Sequence, residues 1–281
     1  MAERVVRANG VDLCVEAFGE PQDTAVLLMQ GVGASMLWWE EPFCRSLAGR
    51  GRHVIRYDNR DTGRSVTSEP GRPEYTGGDL VADAVGVLDA LAVERAQLVG
   101  VSAGGAFAQL LALDRPDRVE GLVLITTTAA LSLDRELPPP TDEFLRFASG
   151  FSVDWEDEAS VIEGQVAYAR LLAGGVRPFD EAAMRDLVRR DVERATDIAA
   201  LQNHDQIADD GRERPPLSSI AAPTVVIHGS ADPMFPLAHG EALAEEIPGA
   251  HLLVLEGAGH GLDRTDWPTV LDAITGQAAG A

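Results

Sequence analysis

The chain contains no lysine: all 23 of its basic residues are arginine. That absence excludes Schiff-base chemistry on the protein, a lysine-anchored pyridoxal phosphate and the phosphate-gripping lysine of a P-loop. Positive charge is scarce in general. Aspartate and glutamate number 45, which leaves a formal net charge of −22 over 281 residues with no basic cluster to reverse it. Recognition of a nucleic-acid backbone needs clustered cations, so nucleic acid is not an expected partner. Cysteine is nearly absent too. Cys14 and Cys44 are too few for a disulfide framework in a chain of this length, and buried free thiols are expected. Histidines, cysteines and carboxylates show no H-E-x-x-H or paired C-x-x-C spacing, so no metal and no cofactor are expected. Apolar runs such as 25–29 and 121–125 are far too short to span a bilayer. The first residues lack the basic-then-apolar pattern of a secretory signal, and a cytoplasmic protein without a membrane partner is expected.

What is present is globular. Hydrophobic residues make up 45% of the chain and charged ones 24%, enough apolar matter to bury a full core. Short apolar segments at 11–17, 24–30, 53–57, 96–101 and 119–126 predict strands, and helical patterns at 36–48, 79–92 and 103–113 alternate with them. That alternation predicts an α/β fold with a mostly parallel central sheet flanked by helices. The rhythm stops from about 129 to 216, a stretch bracketed by Pro138-Pro139-Pro140 and Pro215-Pro216 that reads as helices and polar loops. Strands return at 224–228 and 251–255, with helices at 236–247 and 267–274. The expected organisation is one catalytic domain, 1–128 plus 217–281, interrupted by a helical cap at 129–216.

The residues that carry chemistry begin with Gly100-Val101-Ser102-Ala103-Gly104, a G-x-S-x-G sequence between a predicted strand and an Ala/Gly-rich helix. A nucleophile elbow needs both flanks, because the small residues let strand and helix approach closely at a sharp turn. Serine is a poor nucleophile until a base takes its proton, and in this arrangement the acid and the histidine follow in that order. Asp232 lies just after the strand 224–228, and His260 lies in Gly257-Ala258-Gly259-His260-Gly261 after the strand 251–255. The expected triad is Ser102, Asp232 and His260, with His260 as general base and then acid and Asp232 orienting it. The oxyanion donors expected are the backbone N–H groups of Ala103 and of Val32, the latter in Gln30-Gly31-Val32-Gly33 after a strand. His53, His228, His239 and His251 read as structural; His204, beside Asp205, is the one other histidine expected at a pocket.

These residues together resemble the α/β-hydrolase superfamily over essentially the whole chain. Gln30 stands where that family usually has histidine before the oxyanion glycine, a position that orients the loop and performs no chemistry. The segment Arg56-Tyr57-Asp58-Asn59-Arg60-Asp61-Thr62-Gly63-Arg64-Ser65 resembles a family motif that braces the active-site loops. This stretch and the opening pattern resemble, more narrowly, the aclacinomycin methylesterase branch, which includes enzymes that remove a methyl ester from anthracycline polyketides. The resemblance implies the α/β-hydrolase fold and a serine hydrolase of a small-molecule hydrophobic ester, of the aromatic or polyketide methyl-ester type.

Relatives with a nucleophilic aspartate act on halides and epoxides, and Ser102 argues against both, since alkylated serine would be a stable ether. The same triad serves a cofactor-free, haloperoxidase-like perhydrolase, a lactonase or a carbon–carbon bond hydrolase. A hydrolase-fold ligand receptor remains a different class of answer, weakened by the intact triad. Trp38, Phe107, Phe151, Trp155 and Met234 are the side chains expected to line an apolar substrate pocket.

Overall fold

The protein was analysed as a computed structural model that describes residues 2–276. Among these, eight strands form one sheet: β1 (Arg4–Ala8), β2 (Val11–Phe18), β3 (Thr24–Met29), β4 (Arg52–Tyr57), β5 (Ala96–Val101), β6 (Val119–Ile125), β7 (Thr224–Gly229) and β8 (His251–Leu255). Their spatial order is β1-β2-β4-β3-β5-β6-β7-β8. The β1–β2 and β2–β4 pairings are antiparallel, and every pairing from β4 to β8 is parallel. The largely apolar central strands are explained by this position. Every residue of β5 is buried, because helices cover both faces of a parallel sheet.

One face carries α2 (Gly77–Ala90), α3 (Ala103–Asp114) and α7 (Ala238–Glu246), whose Leu80, Leu111 and Leu243 join a single core cluster. The other carries α1 (Glu41–Ala48) and α8 (Trp267–Gly276), where Phe43, Leu47, Leu271 and Ile274 pack on Leu28 and Val99. Between β6 and β7 the chain leaves the sheet and forms α4 (Asp142–Gly150), α5 (Glu158–Leu172), α6 (Glu181–Arg194) and a 3-10 segment, Ile198–Gln206. This insertion has its own small core, with Val161 and Val166 of α5 against Val188 and Val192 of α6.

Two local expectations are corrected. The single helix predicted over 36–48 is broken into a 3-10 turn, Met36–Trp38, and α1. The Ser35 hydroxyl caps the first piece by accepting the Leu37 N–H, and Pro42 belongs in the first turn of the second, where its missing N–H costs nothing. The edge strand β1 was not predicted, because Arg4 and Arg7 interrupt its few apolar residues. Both cysteines are free and buried, and burial pushes each thiol up to about 12. Among the described residues no helix is long and apolar enough to cross a membrane.

Candidate active site

Ser102 sits between β5 and α3 with φ 53° and ψ −125°. A non-glycine residue held there costs on the order of 1–3 kcal/mol, so the surroundings must enforce the turn. Three glycines explain how. A Cβ on Gly100 would lie 2.4 Å from the Gly104 carbonyl carbon. One on Gly104 would lie 2.2 Å from the Met29 oxygen, and one on Gly105 would meet Thr127 at 2.7 Å. Helix α3 therefore crosses β3 at backbone contact and packs against the Thr127 side chain just after β6. The Ser102 N–H donates to the Ile125 carbonyl at 3.0 Å, and the Thr127 hydroxyl donates to the Ser102 carbonyl at 2.7 Å.

Asp232 and His260, the expected acid and base, lie in the loops after β7 and β8. His260 Nδ1 lies 2.9 Å from Asp232 Oδ2. The other carboxylate oxygen accepts the N–H groups of Met234 and Phe235, each at 2.9 Å. Asp232 is thus a fully buried acceptor with three donors, fixed in orientation. The Phe235 ring stands edge-on to the His260 imidazole at 5.5 Å. The loop bearing His260 is tied to the same strand end as Ser102, since the Gly261 N–H donates to the Thr126 hydroxyl at 3.1 Å. The His260 N–H itself donates to the carbonyl of Leu172, the last residue of α5, at 2.7 Å. Among the described residues the Ser102 hydroxyl makes no hydrogen bond.

The loop after β3 lies directly over Ser102. A Cβ on Gly31 would stand 3.1 Å from Ser102 Cβ and 3.6 Å from its Oγ. The N–H groups of Val32 and Ala103 have no acceptor among the described residues. The Ala103 N–H also belongs to the first turn of α3, where unpaired donors and the helix dipole favour negative charge.

The expected pocket residues separate. Trp38 lines a cavity of about 170 Å³ with Gln30, Leu172, Met184 and His260. Phe151 and Trp155 line another of about 350 Å³, with Phe144, Tyr168 and Asp205 facing Val32 and Gly33. Phe147 and Phe151 stack at 5.2 Å there, and burial raises the Tyr168 hydroxyl to about 12. Met234 is half-buried beside Asp232. Phe107 is 9% exposed and packs in the main core beneath α2, so its side chain supports α3 from behind. His204 is not a pocket-facing group, since both ring nitrogens are bonded to backbone, one to Gly33 and one to Arg60. His228 is buried as expected, with Nε2 at 2.7 Å from the Phe235 carbonyl and 3.5 Å from Asp232, and burial lowers its pKa.

Residues outside the sequence argument also build the site. Asp191 of α6 accepts the Trp38 indole N–H at 2.8 Å, and Arg194 of α6 donates to Asp58 Oδ2 at 2.8 Å. Asp58 in turn accepts the Met36 N–H at 2.9 Å, which pins the segment after the oxyanion loop. Position 58 carried a signal in the resemblance, but its partner 136 residues away did not.

The family described as serine aminopeptidase, S33, matches residues 20–264. Rhodomycin D methylesterase DnrP from Streptomyces peucetius is 33% identical over 284 residues, covering 93% of both chains. Rhodomycin D methylesterase DauP from Streptomyces sp. (strain C5) is also 33% identical, over 283 residues and 93% of both. The solved structure of esterase RhEst1 from Rhodococcus sp. ECU1013 superposes with a TM-score of 0.76 at 22% identity, over 98% of this chain and 99% of that one.

Proposed function

This chain belongs to the α/β-hydrolase superfamily as a carboxylic ester hydrolase of the methylesterase branch, and from that premise we propose that it cleaves its ester through an acyl-enzyme on Ser102. The observation that carries the reading is a strained serine at a helix N-terminus, tied to the same end of β6 as the loop of a histidine whose Nδ1 is 2.9 Å from a buried carboxylate. His260 Nε2 takes the Ser102 proton as Oγ attacks the ester carbonyl. The Ser102–His260 contact closes when substrate orders the site, as is common for catalytic hydrogen bonds that are long in the free enzyme. Negative charge develops on the carbonyl oxygen and is met by the Val32 and Ala103 N–H groups. The tetrahedral adduct collapses, and His260 gives the proton to the departing alcohol. Water, losing a proton to His260, then attacks the acyl-enzyme and releases the acid, so the reaction balances with water alone. Asp232 holds the imidazole tautomer and stabilises its cation.

The substrate class proposed is a neutral hydrophobic ester, of the aromatic or polyketide methyl-ester type. The ring cluster Phe144, Phe147, Phe151 and Tyr168 around the 350 Å³ cavity supports it, as do the names of the two methylesterase relatives.

Purified protein is expected to hydrolyse p-nitrophenyl butyrate and to be labelled on Ser102 by a fluorophosphonate. Ser102→Ala is expected to lower kcat by roughly four orders of magnitude or more. An active enzyme that keeps most of its rate after that change has another nucleophile. Methanol release from a panel of aromatic and polyketide methyl esters tests the substrate class, and peroxide-dependent halogenation without ester cleavage would favour the perhydrolase.

A further inference from the structure

The insertion is hydrogen-bonded to the loop 30–33 through the imidazole of His204. His204 lies in the 3-10 segment Ile198–Gln206 and is 5% exposed. The Gly33 N–H donates to its Nδ1 at 2.8 Å, and its Nε2 lies 2.8 Å from the Arg60 carbonyl oxygen. A carbonyl can only accept, so Nε2 carries the proton and Nδ1 offers a lone pair to Gly33. Both ring nitrogens are committed to backbone, in one tautomer. Burial also holds the imidazole pKa below its ordinary value, which keeps the Nδ1 lone pair available.

The bonded N–H belongs to the peptide that follows Val32. Fixing it sets the plane of the Val32–Gly33 peptide, next to the N–H aimed at the oxyanion. Little else holds this turn: Gly33 has φ +71°, nothing lies within 4 Å of where its Cβ would be, and the Val32 side chain is 44% exposed. An oxyanion donor acts only if it is held in place before charge develops, and a loop of this kind would otherwise sample several orientations. We propose that His204 is a positioning residue for ester hydrolysis: it holds the Val32–Gly33 peptide so that the Val32 N–H faces the developing oxyanion. The proposal rests on the serine-esterase reading above, and it makes the insertion part of the oxyanion hole.

The test compares three variants on p-nitrophenyl butyrate. Asparagine can place its amide oxygen near the Nδ1 position; glutamine's longer side chain instead reaches toward the Nε2 position. His204→Ala is expected to lower kcat about 30-fold, short of the hundredfold or more that follows loss of an oxyanion donor itself, with KM changed less than about threefold. His204→Asn is expected to recover kcat to within about threefold of the parent, and His204→Gln to remain near the alanine level. Affinity for a boronic acid, which forms a tetrahedral adduct on serine, is expected to fall in parallel with kcat. If the alanine variant does not fold, the Asn and Gln pair decides alone. Equal kcat in those two, or losses confined to melting temperature, overturns the positioning role while a Ser102-dependent parent leaves the esterase reading standing. A parent enzyme whose hydrolysis survives Ser102→Ala overturns both.

Discussion

The two halves of the insertion meet the catalytic domain in opposite ways. The second half, α6 and residues 198–206, is anchored by buried polar contacts. Asp191 accepts the Trp38 indole, Arg194 pairs with Asp58 and Glu3, and Asn203 donates to Asp61 at 2.9 Å while accepting the Arg72 N–H at 3.0 Å. The first half, α4 and the segment 151–157 after it, is loosely buried and meets α5 through aromatic rings. No residue of α4 is buried, and its Phe144 and Phe147 rest on Tyr168 of α5. Buried polar groups with fixed partners tolerate no displacement, because each lost bond leaves a desolvated group behind. Half-exposed aromatic rings slide at small cost. A swing of the whole insertion would break every anchor at once, so adaptation to substrate is expected of α4 and the segment 151–157.

That contrast predicts a large effect for removing the anchors wholesale. Replacing 130–214 with a short linker takes Arg194 from Asp58, His204 from Gly33 and Leu172 from the His260 N–H together. The expected outcome is a fall of at least about a hundredfold in kcat/KM even for p-nitrophenyl acetate, as for a lost oxyanion donor. A deletion variant that stays folded by circular dichroism and keeps the small-ester rate would show that the anchored half does not support the site.

Arg194→Met isolates one anchor. The Asp58 side chain is fully buried, and the substitution leaves it with the Met36 and Arg64 N–H donors but no cation. Breaking a buried pair from one side costs about 3 kcal/mol, measured by urea denaturation. A loss under about 1 kcal/mol would mean that the two backbone donors suffice. Trp38→Phe is milder. Asp191 loses the indole donor but keeps Ser35, and burial already raises the Asp191 pKa. The expected cost is about 1–2 kcal/mol, and an unchanged denaturation midpoint would remove Trp38 from the anchor set.

How much of this was legible in the sequence follows from the range of each signal. The parallel sheet was legible because β3, β5 and β6 are buried on both faces over most of their length and are therefore largely apolar. The placement of Ser102, Asp232 and His260 was legible because each follows a recognisable strand within a few residues. The break after Trp38 was not, since residues 36–48 keep a helical apolar pattern through it. Phe107 looked like a pocket residue because it follows Ser102 on α3, but helical periodicity turns it onto the core face. The anchors were least legible of all. Asp191 and Arg194 look like ordinary polar residues on a surface helix, and His204 reads as a pocket histidine and not an anchor; their partners lie 153, 136 and 171 positions away.

Phe151→Ala is the smallest perturbation and the sharpest test of the contrast, because it belongs to the loose half. The ring is 36% exposed and stacks on Phe147, so its removal gives up little buried area, and the stability cost is expected to stay under about 1 kcal/mol. Its effect is expected in recognition. A bulky polycyclic methyl ester that reaches the 350 Å³ cavity should lose an aromatic contact, raising KM about five- to tenfold, while p-nitrophenyl acetate, too short to reach it, is unaffected. The anchored half predicts the reverse signature, with kcat falling for both esters alike. If Phe151→Ala instead lowers kcat for the small ester, the aromatic half is coupled to the oxyanion loop through Val32, which lines the same cavity, and the division of labour between the two halves fails.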